Sequence, residues 1–161
     1  MPGINVNTTA GAKIYISSAL PETIDENGFN AVTGFTKISR VTNFDALPQT
    51  FTRVPFNDVE MRETYTLKGT KDPVEFTVEL GRVHDDAGQI AVLDAFESDD
   101  DFSFYIEMQD GTKVYFIGKV MDTTLTLGDV NTIIGRTMVI ALNCIPVEAL
   151  VATTTTTTTI E

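Results

Sequence analysis

The side chains that could carry out chemistry are few and scattered along the 161-residue sequence. Cys144 is the only cysteine and His84 the only histidine, and nothing in their spacing predicts a nucleophile–base pair. Cys144 lies in the apolar run 139–145, where a free cysteine behaves as a small apolar group, so we expect it to be inert. A zinc site needs several cysteine or histidine ligands, so the sequence predicts none.

Two other kinds of site are also poorly supported. The acidic run 97–101 could bind calcium through its oxygens, but it lacks the spaced ligands and central glycine of a helix-loop-helix calcium loop. We therefore favour a solvated acidic loop. Gly81 and Gly88 lack the strand–glycine loop–helix setting of a phosphate-binding loop. The sequence predicts no catalytic residue, no cofactor and no metal, which points away from an enzyme.

The charge balance is strongly acidic. Eleven basic and 23 acidic side chains give a net charge of −12, so net charge would hold neither nucleic acid nor an anionic membrane. An acidic surface would let DNA pass without sticking, although solubility is the commoner reason for such a charge. An apolar content of 42% is compatible with one globular domain.

No targeting or membrane segment is evident. Residues 1–9 contain neither a basic region nor an apolar stretch, which predicts no secretory signal. No apolar run approaches the ~18 residues of a membrane span, so we expect a chain that folds in a cytoplasm.

The elements that would hold the polar side chains in place are mainly strands. Residues 73–81 alternate strictly, with Val74, Phe76, Val78 and Leu80 on one face and Glu75, Thr77 and Glu79 on the other. This pattern predicts a strand with one face on a core and the other toward solvent or a partner. Asp110-Gly111 between two further alternating segments predicts a β-hairpin.

One helix is predicted among these strands. Asp86 followed by Gln89 resembles a capping box, and the apolar residues after it recur at helical spacing along one stripe: Ala87, Ile90, Leu93 and Phe96. The predicted strands are residues 12–17, 35–41, 62–68, 73–81, 102–108, 112–120, 124–127 and 132–145, and the predicted helix is 86–97.

The segment 42–61 fits neither class. Pro48 and Pro55 oppose a central strand or a helix, so a long loop is expected. It nevertheless carries many apolar side chains: Phe44, Leu47, Phe51, Val54, Phe56 and Val59. Either the loop folds back on its own core, or it projects and is buried by another subunit. Composition alone does not separate the two.

Both ends of the chain have the composition of flexible arms. Residues 1–11 are small and polar, and residues 148–161 include seven consecutive threonines. We expect a folded domain over residues 12–147, with a projecting segment at 42–61, between a flexible N-terminal arm and a flexible threonine-rich tail.

The order of these elements resembles that of the tail tube proteins (major tail proteins) of long, non-contractile-tailed bacteriophages. Three stretches carry the resemblance: the strand 76–80, the helical segment 91–96 with the sequence AVLDAF, and the hairpin 105–118. The resemblance covers residues 12–147 and lies in architecture rather than in a catalytic signature.

The resemblance implies a mainly β subunit, a β-sandwich or half-barrel with one α-helix, that closes into a hexameric ring around a continuous lumenal β-barrel. Rings would stack into a tube that conducts the tape measure protein and DNA, without sequence-specific DNA binding. Tail terminator and tip proteins would be further partners. Such a subunit is assembled in the bacterial host cytoplasm and becomes part of the virion tail.

Within that picture, the apolar side chains of segment 42–61 are the candidate inter-ring stacking contacts. The candidate lumen residues are Glu75, Glu79, Glu107 and Asp110, acidic positions on the polar side of strands or in the hairpin turn. Two alternatives stay open: a tube protein of a contractile injection or secretion system, and an acidic small-ligand-binding β-barrel or enzyme.

Overall fold

A computed structural model describes residues 6–47 and 49–150. Its strands are β1 (Lys13–Ser17), β2 (Thr36–Ile38), β3 (Val41–Phe44), β4 (Gln49–Asp58), β5 (Glu63–Pro73), β6 (Glu75–Gly81), β7 (Phe102–Glu107), β8 (Lys113–Thr126), β9 (Gly135–Leu142) and β10 (Val147–Ala149). Its helices are α1 (Glu26–Asn30) and α2 (Ala87–Glu97). The predicted mainly β class is confirmed, while the closing of such subunits into a ring stays a prediction.

The main sheet is antiparallel and has the order β2-β1-β7-β8-β9-β6-β3, with β10 pairing with β8. Its two edge strands, β2 and β3, are consecutive in the chain and are joined only by Ser39 and Arg40. A two-residue connection between opposite edges requires the sheet to curl until the edges lie side by side. Arg40 makes this turn with φ +61°, a left-handed conformation that is uncommon outside glycine. The result is a half-barrel with a seam.

The longest strand, β8, lies in the middle of the main sheet and has different partners along its length. The sequence predicted two strands here, but β8 is one strand of 14 residues. Its first half pairs with β7 and β10, and its second half pairs with β9. The register shifts between Val120 and Asp122, which leaves Met121 as an extra residue. Such a bulge bends a strand. It lies just after the residues of β8 that pair with β7, where β9 becomes the remaining partner.

The core fills the inside of the curled sheet. Phe104 and Phe116 stack with ring centroids 5.4 Å apart, and Phe76 meets Phe116 edge-on at 5.7 Å. All three side chains are almost completely buried. Burying a side chain of this size contributes about 1.5–3 kcal/mol, so the aromatic cluster is a principal source of stability.

Helix α2 closes one end of the core, and its start was predicted correctly. The Asp86 carboxylate accepts a hydrogen bond from the Gln89 amide at 3.0 Å. The buried face, however, carries Gly88, Gln89, Val92 and Ala95, whereas the apolar stripe Ile90, Leu93 and Phe96 is exposed. A Cβ on Gly88 would lie 2.1 Å from the Lys37 carbonyl oxygen, so only the small-residue face can approach β2 this closely.

Buried Gln89 fixes the position of this helix. Its side-chain oxygen accepts from the Val83 amide at 3.0 Å, and its side-chain nitrogen donates to the carbonyls of Ser39 at 3.1 Å and Gly81 at 2.9 Å. One side chain therefore joins α2 to the β2–β3 connection and to the end of β6.

Three local predictions need correction. The segment 18–34, predicted as loop, contains the short helix α1, so residues 6–47 and 49–150 hold two helices rather than the predicted one. Residues 148 and 149 of the predicted flexible tail belong to β10, which pairs with β8. The β7–β8 hairpin forms as predicted, but its connection spans five residues, and Gly111 adopts φ +89°. Residues 1–5 of the predicted arm and 151–161 of the predicted tail lie outside the described residues.

Candidate assembly surfaces

The segment 42–61 is not a loop. It contributes most of β3 and all of the ten-residue strand β4, which pairs with β5 to form a hairpin. Pro55 is tolerated because both strands of a two-stranded hairpin are edges, where a missing amide donor costs little. At the tip, the Asp58 carboxylate accepts from the Glu60 amide at 2.9 Å, and Arg62 adopts φ +54°.

This hairpin stands apart from the main sheet. Within residues 6–47 and 49–150, β4 and β5 form a sheet of their own, and neither pairs with any other strand. Every residue of β4 except Asp58 is exposed. An isolated two-stranded hairpin is only marginally stable in water, so a projection of this length gains from packing against another molecule.

One face of the hairpin is apolar. Val54 lies opposite Leu67 and Phe56 opposite Tyr65, and these four side chains are 45–55% exposed. Gly69 makes room for this face, because a Cβ there would lie 3.0 Å from a Val54 methyl group. Exposed apolar side chains grouped in this way mark interaction surfaces.

The opposite face of the hairpin is cationic. Arg53 lies opposite Lys68, and Phe51 lies opposite Lys71. The ammonium groups of Lys68 and Lys71 lie 5.1 and 5.5 Å from the centre of the Phe51 ring, within the range of a cation–π interaction. The hairpin thus presents two chemically different surfaces, one on each side.

The predicted stacking residues divide into two groups. Phe44 stacks on Phe76 with centroids 6.4 Å apart, and Leu47 is also partly buried against the core, so both pack within their own chain. The other four, Phe51, Val54, Phe56 and Val59, are exposed on the hairpin. Their contact with a neighbouring ring stays a prediction.

The outer face of β6 continues across β9 and β8 as a surface of small, polar and acidic residues. The aligned positions are Glu75, Thr77 and Glu79 on β6, Ala141, Val139 and Thr137 on β9, and Lys119, Asp122 and Thr124 on β8. Lys119 is the one cation in this set, and it forms an ion pair with Asp101 at 3.7 Å. Three carboxylates therefore face outward on this surface with little competition from positive charge.

The other two candidate lumen residues lie elsewhere. Glu107 is opposite Lys113 at the start of β8, and Asp110 is in the turn before it. The Asp110 carboxylate accepts from the Thr112 amide at 2.9 Å, a hydrogen bond that lowers the pKa of Asp110. Lys113 and Lys119 are six residues apart, about 20 Å along a strand. The four predicted carboxylates thus form two separate pairs.

One further apolar surface was not predicted from the sequence. The β8–β9 connection, residues 127–134, exposes Leu127, Val130, Ile133 and Ile134. The Asp129 carboxylate shapes this connection by accepting from the Asn131 amide at 2.9 Å. The signal was present in the sequence as four apolar residues around Gly128 and Asp129. The sequence pattern instead predicted that Leu127 ends one strand (124–127) and that Ile133 and Ile134 begin another (132–145).

The described residues contain no arrangement that suggests catalysis. The Cys144 sulfur is buried and accepts from the Ile117 amide at 3.1 Å, and burial raises the pKa of the thiol, which disfavours the thiolate. Among these residues no cluster of three or more histidine, cysteine or acidic side chains could hold a metal ion. In the same part of the chain, no helix is both long and apolar enough to cross a membrane.

Comparison with solved structures identifies the fold, whereas the two sequence comparisons find no match. No family model matches the sequence, and no curated protein matches it significantly. Among solved structures, the chain is similar to a chain of the sheath/tube terminator of the PVC extracellular contractile injection system, at TM-score 0.64 and 8% identity over 92% of this chain and 100% of that one.

Two further structures are similar over most of their length. The SPP1 tail tube matches at TM-score 0.59 and 13% identity, over 85% of this chain and 75% of that one. A chain of the anti-feeding prophage baseplate matches at TM-score 0.59 and 9% identity, over 89% of this chain and 93% of that one. TM-scores of 0.59–0.64 at identities this low show a shared fold and nothing finer, so the chain has the fold of these tube, terminator and baseplate chains.

Proposed function

We propose that this protein is a structural subunit that assembles into stacked hexameric rings and forms the tail tube of a bacteriophage. The observation that carries the proposal is the β4–β5 hairpin, which projects from a tail tube fold with its apolar face exposed. The hairpin would dock on the adjacent ring and bury Val54, Phe56, Tyr65 and Leu67 there. The tube would conduct the tape measure protein and then DNA, and it would end on terminator and tip proteins.

The channel wall would be the outer face of β6, β9 and β8. Ring symmetry would repeat Glu75, Glu79 and Asp122 six times around this channel. Salt screens each charge within about 8 Å, so the wall repels DNA only at short range. A channel for DNA mainly has to lack cations, because a few phosphate contacts would already hold the strand. Glu107 and Asp110 would face a different level of the assembly.

Removing the hairpin tests the proposal directly. Gln49 and Pro73 face each other at its base, so deleting residues 50–72 and inserting a short Gly-Ser linker leaves β3 and β6 intact. We expect a folded monomer with an unchanged thermal unfolding midpoint that forms no tubes by negative-stain electron microscopy. The full chain under the same conditions is the control. Long tubes formed by the deletion variant would rule out stacking through the hairpin.

The channel wall has its own test. Glu75→Lys/Glu79→Lys should still assemble, because both side chains lie on an exposed face. The resulting tubes should retain DNA in a pelleting assay at low salt, whereas wild-type tubes should not, and genome delivery should fall. A tube structure with Glu75 and Glu79 on the outside would refute this assignment.

A contractile injection or secretion system is the second candidate setting. The observation in its favour is the match that spans 100% of the PVC terminator chain. A further similar chain belongs to a PVC sheath-tube complex. Co-assembly of this protein with a sheath protein from the same gene cluster would therefore favour the contractile setting, and its failure would favour the non-contractile one. A ligand-binding barrel is not favoured, because Phe76, Phe104 and Phe116 fill the interior of the curled sheet.

A further inference from the structure

The seam of the half-barrel contains a cationic cleft. Lys13, Lys37, Arg40 and Arg82 line a cleft of about 620 Å³ between the start of β1, the β2–β3 connection and the end of β6. All four side chains are exposed, and no carboxylate lines the cleft. Within residues 6–47 and 49–150, none of the four belongs to an ion pair.

This cleft is unusual for the protein that carries it. The chain has 11 basic residues and a net charge of −12, yet four of those basic residues converge here. Two carboxylates lie beside the cleft. Glu107 is opposite Lys13 in the pairing of β1 with β7, and Asp86 already accepts hydrogen bonds from the Ser39 and Gln89 amides. Burial raises the pKa of Asp86, but hydrogen bonds from Ser39 and Gln89 and the charge of Lys37 outweigh that effect and leave the pKa lowered. The converging cations are therefore complementary to an anionic partner.

The same chain presents a complementary surface at the far end of α2. The run 97–101 contains Glu97, Asp99, Asp100 and Asp101, and Lys119 is the cation that contacts it. Carboxylates at a helix C-terminus gain nothing from the helix dipole, which favours cations there. Helix α2 has 11 residues and is therefore about 16 Å long. Its start lies beside the cleft, because the Asp86 carboxylate that caps it accepts a hydrogen bond from the Ser39 amide. The acidic end and the cationic cleft thus lie at opposite ends of one helix.

We infer that the acidic run 97–101 of one copy docks in the cationic cleft of the next copy. Two different but complementary surfaces at separate places on a subunit produce head-to-tail contacts, which close into a ring when the rotation between copies permits. The inference rests on the proposed function and specifies the contact between neighbours in one ring, whereas the hairpin joins one ring to the next.

Charge reversal on either surface tests this contact. The cleft variant is Arg40→Glu/Arg82→Glu, and the acidic-end variant is Glu97→Lys/Asp100→Lys, which leaves the Lys119–Asp101 pair in place. Each variant alone should fold normally but need about tenfold or more protein to assemble, because like charges then face each other across the contact. Glu22→Lys/Glu26→Lys alters net charge as much as the acidic-end variant at exposed sites away from the cleft, and it should assemble like wild type.

Mixing the two variants is the decisive experiment. In a 1:1 mixture, the acidic end of the cleft variant meets the unchanged basic cleft of the acidic-end variant. The basic end of the acidic-end variant in turn meets the acidic cleft of the cleft variant. Every contact between unlike copies therefore pairs opposite charges, so an even-numbered ring should reassemble at the wild-type concentration with the variants alternating. Sedimentation velocity and negative-stain microscopy measure this recovery. Unimpaired assembly of either variant alone, or no recovery on mixing, overturns the inference while leaving the tube function standing. A wild-type chain that remains monomeric at high concentration overturns both.

Discussion

The apolar face of the hairpin gives the sharpest quantitative prediction. Replacing Phe56 and Leu67 by serine removes the two most exposed of its four large side chains. The wild-type chain should form tubes at a much lower concentration than Phe56→Ser/Leu67→Ser. The folded monomer should be almost unaffected, because substitutions at exposed sites usually change stability by no more than about 0.5 kcal/mol.

The size of the effect follows from the exposure of these side chains. Each is 55% exposed in the monomer, so about half of its burial free energy remains available for assembly. Complete burial of a phenylalanine or leucine contributes about 1.5–3 kcal/mol, which leaves roughly 0.8–1.5 kcal/mol for each residue. The two together amount to about 1.5–3 kcal/mol per subunit, or a roughly 10- to 150-fold higher concentration for assembly.

Pelleting assays over a dilution series measure the concentration at which tubes appear, and thermal unfolding of the monomer measures stability. Thr66→Ala, on the opposite face of the same hairpin, is the matched control and should change neither quantity. Tubes that form from the double serine variant at the wild-type concentration would refute burial of this face. A monomer destabilised by more than 1–2 kcal/mol would show instead that the face packs within its own chain.

Two further predictions concern stability. Gln89→Leu should cost about 2–3 kcal/mol in urea unfolding, because the partly buried backbone groups of Val83, Ser39 and Gly81 lose their hydrogen-bond partner. Leu93→Gln on the exposed face should cost about 0.5 kcal/mol or less, and equal losses for the two variants would contradict this. The pKa of Asp86 is lowered from 3.8 by folding, so its ionised form contributes stability above that pH, which is lost as pH falls through the lower folded value. Asp86→Asn should therefore weaken the acid dependence of the urea midpoint below about pH 4, and unchanged pH profiles would count against it.

Period-two patterns predicted the sheet well. The predicted alternation is the pattern of a strand with one buried face, and in β6 it buries Phe76, Val78 and Leu80 as expected. Val74, predicted on the same face, lies just before β6 and is 40% exposed, so that part of the prediction is wrong. The β7–β8 hairpin also followed from local signals. These elements could be predicted because burial of one strand face requires apolar side chains at every second position, and that pattern is visible in consecutive residues.

The hairpin and the orientation of α2 depend on contacts that the sequence does not display. Pro55 opposed a strand because the sequence does not reveal that β4 pairs on one side only. In α2, apolar Ile90 and Leu93 were the natural candidates for the core, yet the approach of Gly88 to the β2 backbone turns them outward. The first error arose from one-sided strand pairing, and the second from close packing of a helix on a strand, so in both cases a contact between elements outweighed the local pattern.

The two-residue link between β2 and β3 has a consequence for how the domain comes apart. Edge strands usually fray first and independently, because each has only one neighbour. Here the two edges share Ser39 and Arg40, and the carbonyl of Ser39 is also bonded to Gln89 in α2. Opening of one edge strand therefore disrupts the other edge strand and the start of α2. Amide hydrogens in β2, in β3 and at the start of α2 should then exchange with one common opening free energy. The seam is thus the place where the half-barrel would open, and it would open as a single cooperative unit.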